Sequence, residues 1–282
     1  MEIKAMKVFH KFDLYDSIVL FFTQQNANPM QHWEIALLFF IISLVYSSVG
    51  FGGGSSYLAV LTFYQLPFAE MKITALVCNI IVVTGGTIIY VRNKQVDWKK
   101  MLPLIIASIP MAYIGAMLKL KKDTFFLILG FSLLLASILL WITTKASDKI
   151  ENDVQKKNVV RDVLLGGAIG FLSGVVGIGG GIFLSPLLHI VKWDRAKKIA
   201  ATASLFILVN SMSGIAGQLS VKPAGIDYTR IGVLCAAVLL GGQIGSRMGA
   251  VKFNPLVIRR VTAVVVFIAA IDVIHSHLPW FK

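Results

Sequence analysis

Two glycine runs stand inside strongly apolar sequence, Gly50-Phe51-Gly52-Gly53-Gly54 and Gly177-Ile178-Gly179-Gly180-Gly181. Glycine weakens a helix by roughly 1 kcal/mol per position relative to alanine, so each run predicts a broken helix. A short apolar segment resumes after each break, over 55–64 and 182–191. The first N–H groups of a resumed helix have no intrahelical acceptor, and the helix dipole adds partial positive charge there. That chemistry suits an anion, and glycine lets a solute approach the backbone with no side chain in the way. Ser55 and Ser56 would add hydroxyl donors at the first break, where the second has Ile182 and Phe183. Asn79 and Asn210 fall in the middle of later apolar segments at matching places, with Ser211 beside the second. A buried asparagine in lipid either joins two helices or lines a polar cavity. The candidate solute-binding set is therefore Gly52, Gly53, Gly54, Ser55, Ser56, Asn79, Gly179, Gly180, Gly181, Asn210 and Ser211. The glycine runs could instead allow only a tight helix crossing. Their duplication at matching positions favours a shared site.

Other chemistries fit less well. A dinucleotide fingerprint needs glycine where Ser55 or Ile182 stands, and a P-loop needs a Gly-Lys-Ser/Thr end. An intramembrane hydrolase needs a serine with an embedded histidine, or two aspartates at one depth. His10, His32, His189, His275 and His277 all fall at segment ends or outside them. Gly170-Phe171-Leu172-Ser173-Gly174 lacks the G-x-S-x-G spacing. The expectation is no enzyme, no cofactor and no metal site; Cys78 and Cys235 suggest neither a disulfide nor a metal framework. Ionisable groups in the apolar segments are few, with Glu34, Arg247 and Asp272 near segment ends. Intramembrane carboxylates mark proton relays and cation sites, so their scarcity fits an anion held by dipoles.

The elements that must hold these residues are membrane helices. Of the 282 residues 56% are hydrophobic and only 15% charged, with a mean hydropathy of +0.77, against about 25% charged in soluble domains. The formal charge of +13 sits in short loops beside apolar spans, as topology and anionic lipids require, so no nucleic-acid partner is expected. Apolar segments run over about 33–64, 72–91, 101–118, 124–142, 163–191, 197–218, 229–250 and 255–274, the first and fifth interrupted by the glycine runs. The chain divides into an amphipathic interfacial segment 1–31 (centred on Phe9–Thr23), a first transmembrane repeat 32–142, a polar linker 143–162 and a second repeat 163–282.

The halves read as copies. Gly50–Gly54, Asn79, Gly86, Val96-Asp97-Trp98 and Gly115 recur in order as Gly177–Gly181, Asn210, Gly217, Ile226-Asp227-Tyr228 and Gly245, each 127 to 131 residues on. Treating each glycine-broken element as a re-entrant hairpin gives the larger Lys/Arg asymmetry between the two sides, which favours inverted over parallel repeats. The fold class expected is an all-α polytopic membrane protein of two repeats, each with a broken, re-entrant element plus three transmembrane helices. Gly166, Gly170 and Gly174, and again Gly241, Gly245 and Gly249, recur every fourth residue, the spacing of close helix packing in lipid. Pro103, Pro110 and Pro186 lie in or beside spans and could kink them.

These motifs resemble the TauE/SafE sulfite exporter family of permeases. The resemblance rests on Ser48-Val49-Gly50-Phe51-Gly52-Gly53-Gly54 and on Gly174-Val175-Val176-Gly177-Ile178-Gly179-Gly180-Gly181 followed by Pro186. Tyr90-Val91-Arg92-Asn93, Val96-Asp97-Trp98 and Ala200-Ala201-Thr202-Ala203-Ser204 add to it, and it covers about residues 33–275. One departure is Ala59, where the first half would match Pro186. The resemblance implies a secondary transporter exporting small sulfur-containing anions, such as sulfite or organosulfonates, across the bacterial inner membrane. The partners expected are the anion and membrane lipids, with a homo-oligomer left open. A permease or channel for another solute, and a non-transporting scaffold or sensor, remain as alternatives.

Overall fold

A computed structural model describes residues 33–47, 52–64, 66–146, 158–223, 225–249 and 255–277. The interfacial segment expected at Phe9–Thr23, residues Gly50 and Phe51 of the first glycine run, and the centre of the linker lie outside them. The described residues form ten helices and no strand. The first half holds α1 (Trp33–Ser47), α2 (Gly54–Phe63), α3 (Phe68–Arg92), α4 (Trp98–Met117) and α5 (Lys122–Ala146). The second holds α6 (Val159–Val176), α7 (Gly181–Ile190), α8 (Ala196–Ser220), α9 (Tyr228–Gly249) and α10 (Pro255–His277).

Local signals account for several ends. Asp97 caps α4 by accepting from the Lys100 N–H at 3.3 Å, and Asn158 caps α6 by accepting from the Arg161 N–H at 3.1 Å. Gly177 closes α6 in the left-handed region at φ 84°. The halves correspond element by element: α2 and α7 have 10 residues each, and α3 and α8 have 25 each. Ala59 in place of a second Pro186 therefore leaves no mark on helix length.

The contacts set the sense of each helix. Leu76 meets Gly214 and Thr87 meets Ser204, so α3 and α8 run antiparallel. Gly166, Gly170 and Gly174 of α6 press on Leu104, Ser108 and Ala112 of α4, so this pair is parallel. Gly241 and Gly245 of α9 press in the same way on Phe40 and Leu44 of α1. Glu70 pairs with Arg230 and Val82 meets Gly242, so α3 runs with α9. Asn210 meets Ser108 and Gln218 meets Ala116, so α8 runs with α4. Corresponding helices of the two halves thus cross in opposite senses, the relation an inverted repeat requires.

The same senses define the broken elements. Because α1 and α3 point one way, the short α2 between them turns back, and α7 turns back likewise between α6 and α8. Each pair is a helical hairpin, and the two hairpins point in opposite directions. Among the described residues, six helices are long and apolar enough to cross a membrane: α3, α4, α6 and α8 whole, with Lys122–Thr143 of α5 and Tyr228–Ser246 of α9. The α10 stretch Thr262–His275 is a shorter apolar helix. Large apolar side chains such as Ile106, Leu164, Leu240 and Ile268 are exposed on the outer surface, as helices facing lipid require.

The repeated glycines explain the closest crossings. A Cβ on Gly166, Gly174 or Gly245 would overlap the backbone carbonyl of Leu104, Ala112 or Leu44. Backbone that close leaves no room for alanine, and packing at this range is what associates helices without a hydrophobic drive.

Candidate solute site at the apposed helix breaks

The short helices α2 and α7 begin in the middle of the bundle, and neither has a side-chain cap. Their N-cap residues are Gly53 at φ 85° and Gly180 at φ 82°, both left-handed, where a side chain would be strained. The first backbone bonds are Tyr57 N–H to the Gly53 carbonyl at 3.0 Å, and Phe183 and Leu184 N–H to the Gly180 carbonyl at 3.1 and 3.0 Å. Among the described residues, the N–H groups of Gly54, Ser55, Ser56, Gly181 and Ile182 have no acceptor. They are free donors at the positive ends of two helix dipoles.

The two breaks touch. A Cβ on Gly54 would lie 2.7 Å from the Ile178 carbonyl oxygen and overlap the Asn79 amide nitrogen, while one on Gly52 would overlap Asn79 Oδ1. Asn79 Nδ2 donates to the Ile178 carbonyl at 2.8 Å, so a side chain of the first half ties down the second break. That bond also orients the amide: Oδ1 is the other atom, and it has no partner although Asn79 is fully buried. Gly179, at φ +80°, lies on the far side; a Cβ there would sit 2.8 Å from Asn79 Nδ2 and 2.8 Å from Ser211 Oγ. Ser211 is fully buried and its hydroxyl is also unpartnered. Gly52, Gly54, Asn79, Gly179 and Ser211 therefore form one cluster, roofed by Ile207, which lies beside Gly52, Gly179 and Gly181.

Other candidates lie apart from that cluster. The Ser56 hydroxyl is bonded to Tyr46 OH at 2.6 Å, facing α1, and Ser55 is buried on the same helix start. Gly53 faces Tyr57 and Ile42, while Gly180 faces Phe206, Ile169 and Ser173. Asn210 is not the mirror of Asn79. Its Nδ2 donates to Ser108 Oγ at 3.1 Å and to the Phe206 carbonyl at 2.8 Å, joining α8 to α4, and its Oδ1 is free. Of the charged residues singled out near segment ends, Glu34 and Asp272 are exposed.

Lys72 is the residue that sequence reasoning missed. It sits one turn into α3, only 2% exposed, with its stem against Gly177. Its ammonium donates to the Val175 carbonyl at 3.3 Å, at the negative end of α6, and lies 5.4 Å from the Phe125 ring centre. No carboxylate pairs with it among the described residues. The apolar segment in the sequence starts only at 72, which leaves the lysine at its edge; the helix begins at Phe68 and carries it inward. The available signal was a lone lysine in an apolar helix with no acidic residue three or four positions away.

Two ion-pair clusters flank the site on opposite sides. On one, Lys100 of α4 reaches Asp194 at 3.0 Å, and Lys198 of α8 reaches both Asp194 and Asp97 at 3.7 Å. Beside them Trp193 donates to the buried Asp162 at 3.2 Å. On the other, Arg230 of α9 reaches Glu70 of α3 at 3.0 Å and Asp227 at 3.4 Å. Asp97-x-x-Lys100 and Asp227-x-x-Arg230 are the same pattern in the two halves, each bonding to the opposite half.

Residues 35–273 match the family model described as sulfite exporter TauE/SafE. The chain belongs to this family. The TauE/SafE match spans both hairpins and all the helices between them. Curated relatives agree at the level of transport. The chain is 28% identical over 241 residues to the probable membrane transporter protein y4hK of Sinorhizobium fredii, covering 85% of this chain and 97% of that protein. It is 25% identical over 241 residues to the probable membrane transporter protein YunE of Bacillus subtilis, covering 77% and 86%. No solved structure matches the chain. This TauE/SafE member is an integral multi-pass membrane transporter and not an enzyme.

Proposed function

We propose that the protein is a secondary carrier of small sulfur-containing anions such as sulfite or organosulfonates, moving them outward across a bacterial inner membrane. The anion is held between the N-termini of α2 and α7, by the amides of Gly54 and Gly181 and their neighbours. The observation that carries this reading is the meeting of two uncapped helix starts in the bundle interior, joined by the bond from Asn79 to Ile178. In inverted-repeat carriers, broken helices present such termini to anionic groups near the bilayer midplane. Alternating access would proceed by rocking one half against the other. The Lys100–Asp194 and Arg230–Glu70 pairs join the halves on opposite sides of the site, which fits their opening in turn.

The test is flux of labelled sulfite and of alkanesulfonates in proteoliposomes, with Gly181→Trp as the blocked control. Saturable flux that the variant loses is expected. Wild-type flux at the level of empty liposomes, for every anion tried, would refute the proposal.

A further inference from the structure

We infer that the solute is a singly charged oxyanion that still carries a hydrogen-bond donor, such as a hydrogen oxyanion or a hydroxylated sulfonate, and that Lys72 is its counter-charge. This inference rests on the anion site proposed above. Two independent observations lead to it.

The first is charge. Among the described residues Lys72 is the one buried lysine or arginine, and its ammonium meets a carbonyl rather than a carboxylate. Glu70, two residues away, is engaged by Arg230 at 3.0 Å. Only one of the three ammonium N–H groups has an acceptor among the described residues. One cation held in low dielectric is neutralised by one negative charge, and a second negative charge would remain buried and unpaired. The Lys72 stem lies against Gly177, the first residue of the second break, and its ammonium is held at the Val175 carbonyl two residues before it, so in a low-dielectric interior its charge favours an anion at the nearby helix termini.

The second is the free Asn79 oxygen. Because Nδ2 is committed to the Ile178 carbonyl, the atom facing Gly52 is an acceptor, fully buried and without a donor. A fully deprotonated oxyanion brings only more acceptors to that oxygen. A solute with one O–H satisfies it, while the amides and the Ser211 hydroxyl satisfy the charged oxygens.

The test is titration of the purified full chain with three anions at one neutral pH. 2-Hydroxyethanesulfonate has one charge and a hydroxyl, ethanesulfonate one charge and no donor, and sulfate two charges and no donor. Binding should weaken in that order, by about tenfold at each step, as a buried unmet acceptor and an unpaired charge predict. Lys72→Gln should weaken both monoanions by about tenfold or more while Lys72→Arg retains them. The wild-type series stands alone if the glutamine variant does not fold. Sulfate binding as tightly as ethanesulfonate, or ethanesulfonate as tightly as its hydroxylated analogue, would overturn this inference and leave the anion site intact. No binding of any of the three would overturn the anion site along with it.

Discussion

Replacing Gly54 by alanine tests the apposition of the breaks most directly. Gly54 is the first residue of α2, where an alanine backbone is unstrained, so the effect comes from the added methyl alone. That methyl would lie 2.7 Å from the Ile178 carbonyl oxygen and overlap the Asn79 amide. Losing the Asn79–Ile178 bond leaves a buried carbonyl unmet, at about 1–3 kcal/mol. Pushing the two breaks apart costs about 1–3 kcal/mol more, against at most about 1 kcal/mol regained as helix propensity. A net loss of about 1–6 kcal/mol corresponds to a melting temperature roughly 3–18 °C lower. Gly181→Ala is the partner experiment, because its methyl meets only the flexible end of Ile207 at short range. In a double-mutant cycle Ile207→Ala should relieve Gly181→Ala and act additively with Gly54→Ala. The assays are melting in detergent and anion flux in proteoliposomes. Gly54→Ala melting within about 1 °C of wild type with undiminished flux would refute the apposition.

Asn79→Leu should cost about 1–3 kcal/mol, since it orphans the Ile178 carbonyl inside the bundle, and should abolish flux. Asn210→Leu should lower stability, through Ser108 and the Phe206 carbonyl, more than it alters solute affinity, and an equal loss of affinity in both variants would contradict the asymmetry described. Exchanging the charges of one clamp, Arg230→Glu with Glu70→Arg, should restore flux lost in either single variant if their 3.0 Å pairing matters to transport; a double variant as poor as the worse single one would count against it. The helix senses are tested by disulfide trapping in a background with Cys78 and Cys235 changed to serine. Thr87→Cys with Ser204→Cys should cross-link, because their oxygens are 3.1 Å apart, whereas Thr87→Cys with Ser213→Cys should not.

Much of the fold was legible in the chain. The eight apolar segments became ten helices, with the first and fifth divided at the glycine runs as expected. Of the every-fourth-residue glycines, Gly166, Gly170 and Gly174 lie at the close crossing of α4 and α6, and Gly241 and Gly245 at that of α1 and α9. Both signals are local. Apolar length specifies a span, and a missing side chain permits close approach wherever the neighbour comes from. The candidate site was legible in part, for the same reason: the glycine breaks and Asn79 are marked by residue type within the segment itself.

What the segment could not specify was the partner. Asn79 and Asn210 have equal standing in the sequence, yet one ties a helix break and the other joins α8 to α4. Ser56, a natural donor for an anion, is claimed by Tyr46. Lys72 was concealed by its position near a helix start, because burial depends on which helix end packs over it, here α6 at Val175. The sequence by itself determined that this is a membrane protein of two similar halves, each broken at glycine, since hydropathy and backbone propensity are properties of the chain. Only the tertiary structure decided that the breaks meet, which asparagine joins them and that a lysine lies beneath them, since hydrogen bonds and burial depend on residues about a hundred positions apart.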